Sequence, residues 1–140
     1  MDSERVSDVM GRMVDLLRRR LGGLRLVYWF GSTATGTAFC GDDSDLDIAF
    51  YAMDPVGGSL RYELLIEASV MAGCSVDLVD LRAASTVLMW QVLESGRLVY
   101  ESDPRFTADF EVMILARYCA LTEERHELLE SIQQQGYIHA

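Results

Sequence analysis

GSTATGTAFCGDDSDLDIAF, residues 31–50, follows directly on the apolar run Leu26-Val27-Tyr28-Trp29-Phe30. An apolar run that ends in Gly31-Ser32 reads as a buried strand delivering a tight turn to a surface. Bare backbone N–H groups at such a turn, above all at a helix N-terminus, bind phosphate without a side chain. The stretch closes with Asp45-Leu46-Asp47 before Ile48, Ala49 and Phe50. Residues two apart on a strand point the same way, so Asp45 and Asp47 share a face. Like charges side by side repel, and a divalent cation removes that conflict. Magnesium favours a few carboxylates plus substrate phosphates. A phosphate seat and a metal seat therefore stand close together in sequence.

Gly31-Ser32, a short loop with Gly36, and Ser44-Asp45-Leu46-Asp47 together resemble the signature of the polymerase-beta-like nucleotidyltransferases. Val76-Asp77-Leu78-Val79-Asp80-Leu81 resembles the family's strand with the third acidic residue, and the small size resembles the minimal nucleotidyltransferases. The resemblance spans roughly the first hundred residues, from the strand at 24 to Tyr100. It implies Asp45, Asp47 and Asp77 as catalytic residues and Mg2+ ligands, Gly31 and Ser32 as the seat of the ATP phosphates, and ATP as substrate. It implies an antitoxin whose partner is a HEPN-domain ribonuclease toxin, silenced by AMP placed on a tyrosine. The chain departs from the pattern in two ways. The loop Thr33 to Ser44 is longer than usual, and Thr33 and Thr35 stand where many members carry Arg. No Lys or Arg occurs from Leu26 to Met53, which leaves charge neutralisation to the backbone and the metal.

Net charge is −10, from 12 basic and 22 acidic residues. A chain this acidic is a poor holder of nucleic acid through phosphate contacts. It suits a basic protein partner met by electrostatic steering. Half the residues are hydrophobic and the mean hydropathy is +0.11, which is rich for a small fold and points to an apolar surface covered by a partner. No apolar run reaches transmembrane length, and the start MDSERVSDVM has no signal-peptide architecture, so a cytoplasmic location and no membrane contact are expected. Cys40, Cys74 and Cys119 are odd in number and widely spaced, as for buried or idle thiols in a reducing compartment.

The chain in order alternates helix and strand. Helical spacing covers residues 4–20, from Val6 to Leu17, with Arg18, Arg19 and Arg20 as a solvated last turn before Gly22-Gly23. Residues 24–30 form a strand, 31–36 a turn, 38–43 a loop and 45–52 a second strand. Ser59 is the expected N-cap of a helix ending near Gly73. A third strand covers 75–81, a short helix 84–94 and an extended piece 97–100. Asp103-Pro104 opens a long helix that continues or restarts over 123–134. The order predicts an α/β (α+β) fold, a small mixed sheet flanked by helices. It is read as one domain over 1–140, with a core over about 1–100 and a C-terminal helical segment over about 104–134.

Other candidates weigh less. Asp42 and Asp43 read as solvated loop acids. Asp80 competes with Asp77 but lies at a strand end, where it reads as a turn cap. His126 sits in the charged run Glu123 to Glu127 and, with His139, reads as inert. HEPN nucleases resemble one another in an Arg and a His a few residues apart on a helix. Arg117 and His126 are too far apart and Arg125-His126 adjacent, so this chain is not the nuclease. Two alternatives stay open: an antitoxin that works by binding alone, and a transferase acting on a small polycation such as an aminoglycoside.

Overall fold

The computed structural model describes residues 3–35 and 45–135. Gly36, Cys40, Asp42, Asp43, Ser44 and His139, all singled out above, lie outside them. The elements are α1 (Ser3–Arg20), β1 (Leu24–Phe30), α2 (Ser32–Thr35), β2 (Leu46–Ala52), α3 (Gly58–Ala72), β3 (Val76–Asp80), α4 (Thr86–Ser95), β4 (Arg97–Glu101) and α5 (Pro104–Gln135). The strands form one mixed sheet in the order β3-β2-β1-β4. β1 runs antiparallel to β2 and β4, while β2 and β3 are parallel. A parallel pair needs a crossover, and α3 supplies it.

Strand alternation splits the core in two. Val27, Trp29, Ile48, Phe50 and Leu78 face α1 and α3, where Met13, Leu17 and Leu64 are fully buried. Leu26, Tyr28 and Ala49 face α4 and α5, against Met89, Val92, Phe110 and Ile114. β1 and β2 are thus buried on both faces, which is why residues 26–30 and 48–52 are apolar without alternation.

Three expectations are corrected. α3 starts at Gly58 with Gly57 as its N-cap and no side-chain cap, so Ser59 lies inside the first turn. Arg20 does not simply face water: it bridges α1 to α3 by ion pairs to Glu63 at 2.8 Å and Glu67 at 2.5 Å. Cys74 is disulfide-bonded rather than an idle thiol, whereas Cys119 is free and exposed. The C-terminal helix is continuous from Pro104 and does not restart at Glu123.

Candidate nucleotidyl-transfer site

β1 delivers its C-terminal end to the N-terminal ends of β2 and β3, because it is antiparallel to β2 and β2 is parallel to β3. The register sets Phe30 opposite Asp47, and Asp47 beside Asp77. Asp45, Asp47 and Asp77 therefore gather at one end of the sheet. They lie on the α4–α5 face, since Ala49 and Val79, two residues on in each strand, belong to that core. Asp45 and Asp77 are exposed and Asp47 is half-buried.

The electrostatics follow from this crowding. Burial, then the charges of Asp77 and Asp45, raise the Asp47 pKa to about 6. Asp80, the competing acid, sits at the other end of β3, where its Oδ1 accepts from the Arg82 N–H at 3.0 Å. It is the turn cap expected.

Gly31 is needed here for two reasons. Its φ is +80°, a left-handed conformation that disfavours a side chain. A Cβ at Gly31 would also come within 2.2 Å of Asp47 Oδ2. The turn backbone is thus pressed onto the carboxylate, and no other residue type permits that approach. The Gly31 N–H is not entirely bare, since it points at Ser95 Oγ over a long 3.5 Å. The following turn is anchored from inside. Ala34 N–H donates to the Gly31 carbonyl at 3.1 Å, and Trp29 Nε1–H donates to the buried Thr33 Oγ1 at 2.9 Å. Ser32 opens α2 directly after Gly31.

Sequence reading missed Thr33, Ser95 and Arg97 as parts of this end. Arg97 opens β4 opposite Trp29, and its guanidinium stands 5.7 Å from the Trp29 ring. It lies on the face of the sheet that Trp29 shares with α1 and α3, two residues before the turn. Its place depends on β4 pairing with β1, which no local pattern reveals.

Among the described residues, no group of three His, Cys, Asp or Glu side chains is already gathered as a metal cage. The donor set nevertheless fits a hard divalent ion. Three carboxylates at one end, one with its charge disfavoured by the other two, are what a cation would relieve.

The polymerase beta nucleotidyltransferase model matches residues 14–105, which contain the whole sheet and every candidate acid. The chain belongs to the polymerase beta nucleotidyltransferase family. The protein adenylyltransferase MntA of Shewanella oneidensis is 35% identical over 123 residues, 86% of this chain and 85% of MntA. A solved toxin–antitoxin structure with AMP-PNP is 34% identical at a TM-score of 0.78, covering 89% of this chain and 98% of that one. A complex of tri-AMPylated Shewanella oneidensis HEPN toxin with its MNT antitoxin is 31% identical at a TM-score of 0.73, covering 89% and 96%. As a nucleotidyltransferase, the chain has the expected mixed sheet and long C-terminal helix. Among the described residues, no helix is long and apolar enough to cross a membrane.

Proposed function

We propose that this nucleotidyltransferase is the antitoxin of a toxin–antitoxin pair. It transfers AMP from ATP to a tyrosine of a cognate HEPN-domain toxin. The observation that carries this reading is the register of Asp47 beside Asp77, with the Gly31 turn pressed on Asp47. It puts acids and turn backbone at one sheet end, and relatives with that fold are an adenylyltransferase and the antitoxin beside an AMPylated toxin.

In this reading the turn at Gly31 and Ser32 seats the β- and γ-phosphates, leaving the α-phosphate before the acids. Asp77, exposed at the strand edge, orients the tyrosine hydroxyl and draws off its proton. The phenolic oxygen forms a bond to the α-phosphorus while the bond to the β-phosphate breaks and pyrophosphate leaves. Asp45, Asp47 and Asp77 are the residues that would hold Mg2+, which supplies Lewis-acid stabilisation of phosphoryl charge when bound. Residues 1–140 act as one transferase unit in the cytosol, where ATP and a ribonuclease toxin coexist.

Intact-mass measurement of the HEPN protein after incubation with this chain, ATP and Mg2+ tests the reading. The expected result is a gain of one or more AMP units that Asp45→Asn abolishes. An unmodified HEPN protein that still co-purifies would refute transfer. It would establish neutralisation by binding, the reading favoured by the absence of Lys and Arg from Leu26 to Met53.

A further inference from the structure

α5 is far longer than the sheet it covers. Phe106 packs by Arg25 and Tyr51, Glu111 accepts from the Tyr28 hydroxyl, and Ile114 is fully buried. Tyr118 stacks on Trp90 of α4 at 4.5 Å. Beyond it, every residue from Cys119 to Gln134 is exposed. At 1.5 Å per residue this arm reaches roughly 24 Å past the packed body. Its direction is set by its contacts. Moving from Arg25 to Tyr28 along β1 is moving toward Gly31, and α4 also ends beside Gly31. The arm therefore heads for the end of the sheet that carries Asp45, Asp47 and Asp77, on the same face.

The arm is not a polar helix. At 100° per residue, Leu121, Leu128 and Ile132 fall in line with buried Ile114, and Leu129 widens the stripe. Their exposures run from 40% for Ile132 to 61% for Leu128. The face that packs on the sheet thus continues, uncovered, past its edge. Helices owe most of their stability to packing of such a face.

We propose that this stripe docks the acceptor protein, an inference that rests on the function proposed above. The occupant is a partner helix with an apolar groove flanked by basic side chains, because Glu124 borders the stripe, Glu123, Glu127 and Glu130 back it, Arg125 is the one cation within it, and the chain's net charge is −10. A second copy of this chain fits poorly. It brings another net charge of −10, and a parallel pair would stack Arg125 on Arg125 within the seam. Docking here also holds the acceptor's hydroxyl-bearing segment near Asp77, converting an encounter into a positioned reaction.

Calorimetric titration of the full chain with its cognate HEPN-domain protein tests this. Leu121→Glu with Leu128→Glu should weaken binding at least a hundredfold, with melting temperature and AMP-PNP affinity as in the unsubstituted chain. Glu124→Ala should cost less and lose its effect at high salt. Asp45→Asn should bind as tightly as the unsubstituted chain. Unchanged affinity of the double variant overturns the inference. So does the absence of any binding by the unsubstituted chain, or a homodimer in sedimentation that the double variant dissolves. Stripe-dependent binding without AMP transfer would refute the proposed reaction and leave the docking surface standing.

Discussion

Replacing Asp47 by Asn should make the metal-free protein more stable while abolishing transfer. Burial and the neighbouring Asp77 and Asp45 lift the Asp47 pKa from 3.8 to about 6. Roughly two pKa units at 1.36 kcal/mol each set an upper bound of ~3 kcal/mol on the penalty for its charge. Asp47 is only half-buried, and solvent screening brings the working figure to about 1 kcal/mol. In a fold of this size that is about 3–4 °C in melting temperature. Because the folded-state pKa is raised, the stabilising contribution of protonated Asp47 is fully present below pH 3.8. It is lost as the pH rises through about 6. The Asn variant never carries the charge. Its advantage should therefore be full at pH 8, shrink below pH 6 and be gone near pH 3.8. Thermal unfolding of both proteins in EDTA across this range reads the difference directly, and the titration of other groups cancels. Adding Mg2+ at pH 8 should raise the melting temperature of the unsubstituted protein and leave the variant nearly unchanged. A variant less stable at pH 8, or an advantage that persists unaltered to pH 4, would refute the account of the acid cluster.

Three further outcomes follow from the turn. Gly31→Ala puts a Cβ against Asp47 Oδ2 and a side chain at φ +80°, so it should cost at least ~1–2 kcal/mol and abolish transfer; an unchanged melting temperature would contradict this. Thr33→Val keeps the shape but strands the buried Trp29 N–H, so chemical denaturation should show a loss of about 1–3 kcal/mol, with weaker ATP binding by the loosened turn. Arg97→Ala removes the cation that stands over the Trp29 ring, two residues before that turn. Steady-state kinetics should show KM for ATP raised about tenfold, or ~1.4 kcal/mol, with kcat unchanged. Arg97→Lys should recover part of the loss, and an unaltered KM would remove Arg97 from the phosphate environment.

Much of this architecture was legible because it is written locally. The helical spacing from Val6 to Leu17 marks a one-faced helix, and Met13 and Leu17 are indeed fully buried. The run 26–30 is apolar on both faces because β1 is a central strand. Asp45 and Asp47 are close in sequence, so both arrive at the same end of the sheet, although Asp45 lies just before β2. What was not legible is what pairing decides. Asp77 was preferred to Asp80 from its place in the strand and the family pattern, but that it stands directly beside Asp47 is set by a parallel register with β2, which depends on the crossover through α3. The Arg20 bridge to Glu63 and Glu67 joins residues more than forty positions apart. Ser95 meets Gly31, and Arg97 the Trp29 ring, only because β4 returns antiparallel along β1. The start of α3 misled for a different reason: Ser59 has the chemistry of a cap, but Gly57 already holds the extended conformation that a cap requires.

Three features that local rules would reject fall at one place. A sheet gains from cross-strand partners of opposite charge, yet Asp47 and Asp77 are neighbours of like charge. A strand end gains from residues that cover the backbone, yet Gly31 leaves it open to a carboxylate. A long helix gains from a covered apolar face, yet the α5 stripe runs on past the body toward this same end. Each is costly in the isolated chain, and in the function proposed each would be relieved by something arriving: a cation at the acids, phosphates at the turn, a protein at the arm. Folds tend to break such rules where function needs it. Their convergence on one end of the sheet is the physical reason to read nucleotide, metal and acceptor as meeting there. It also orders the energetics: binding of any one of the three should raise the melting temperature, and Asp47→Asn should remove the cation's share while leaving the acceptor's intact.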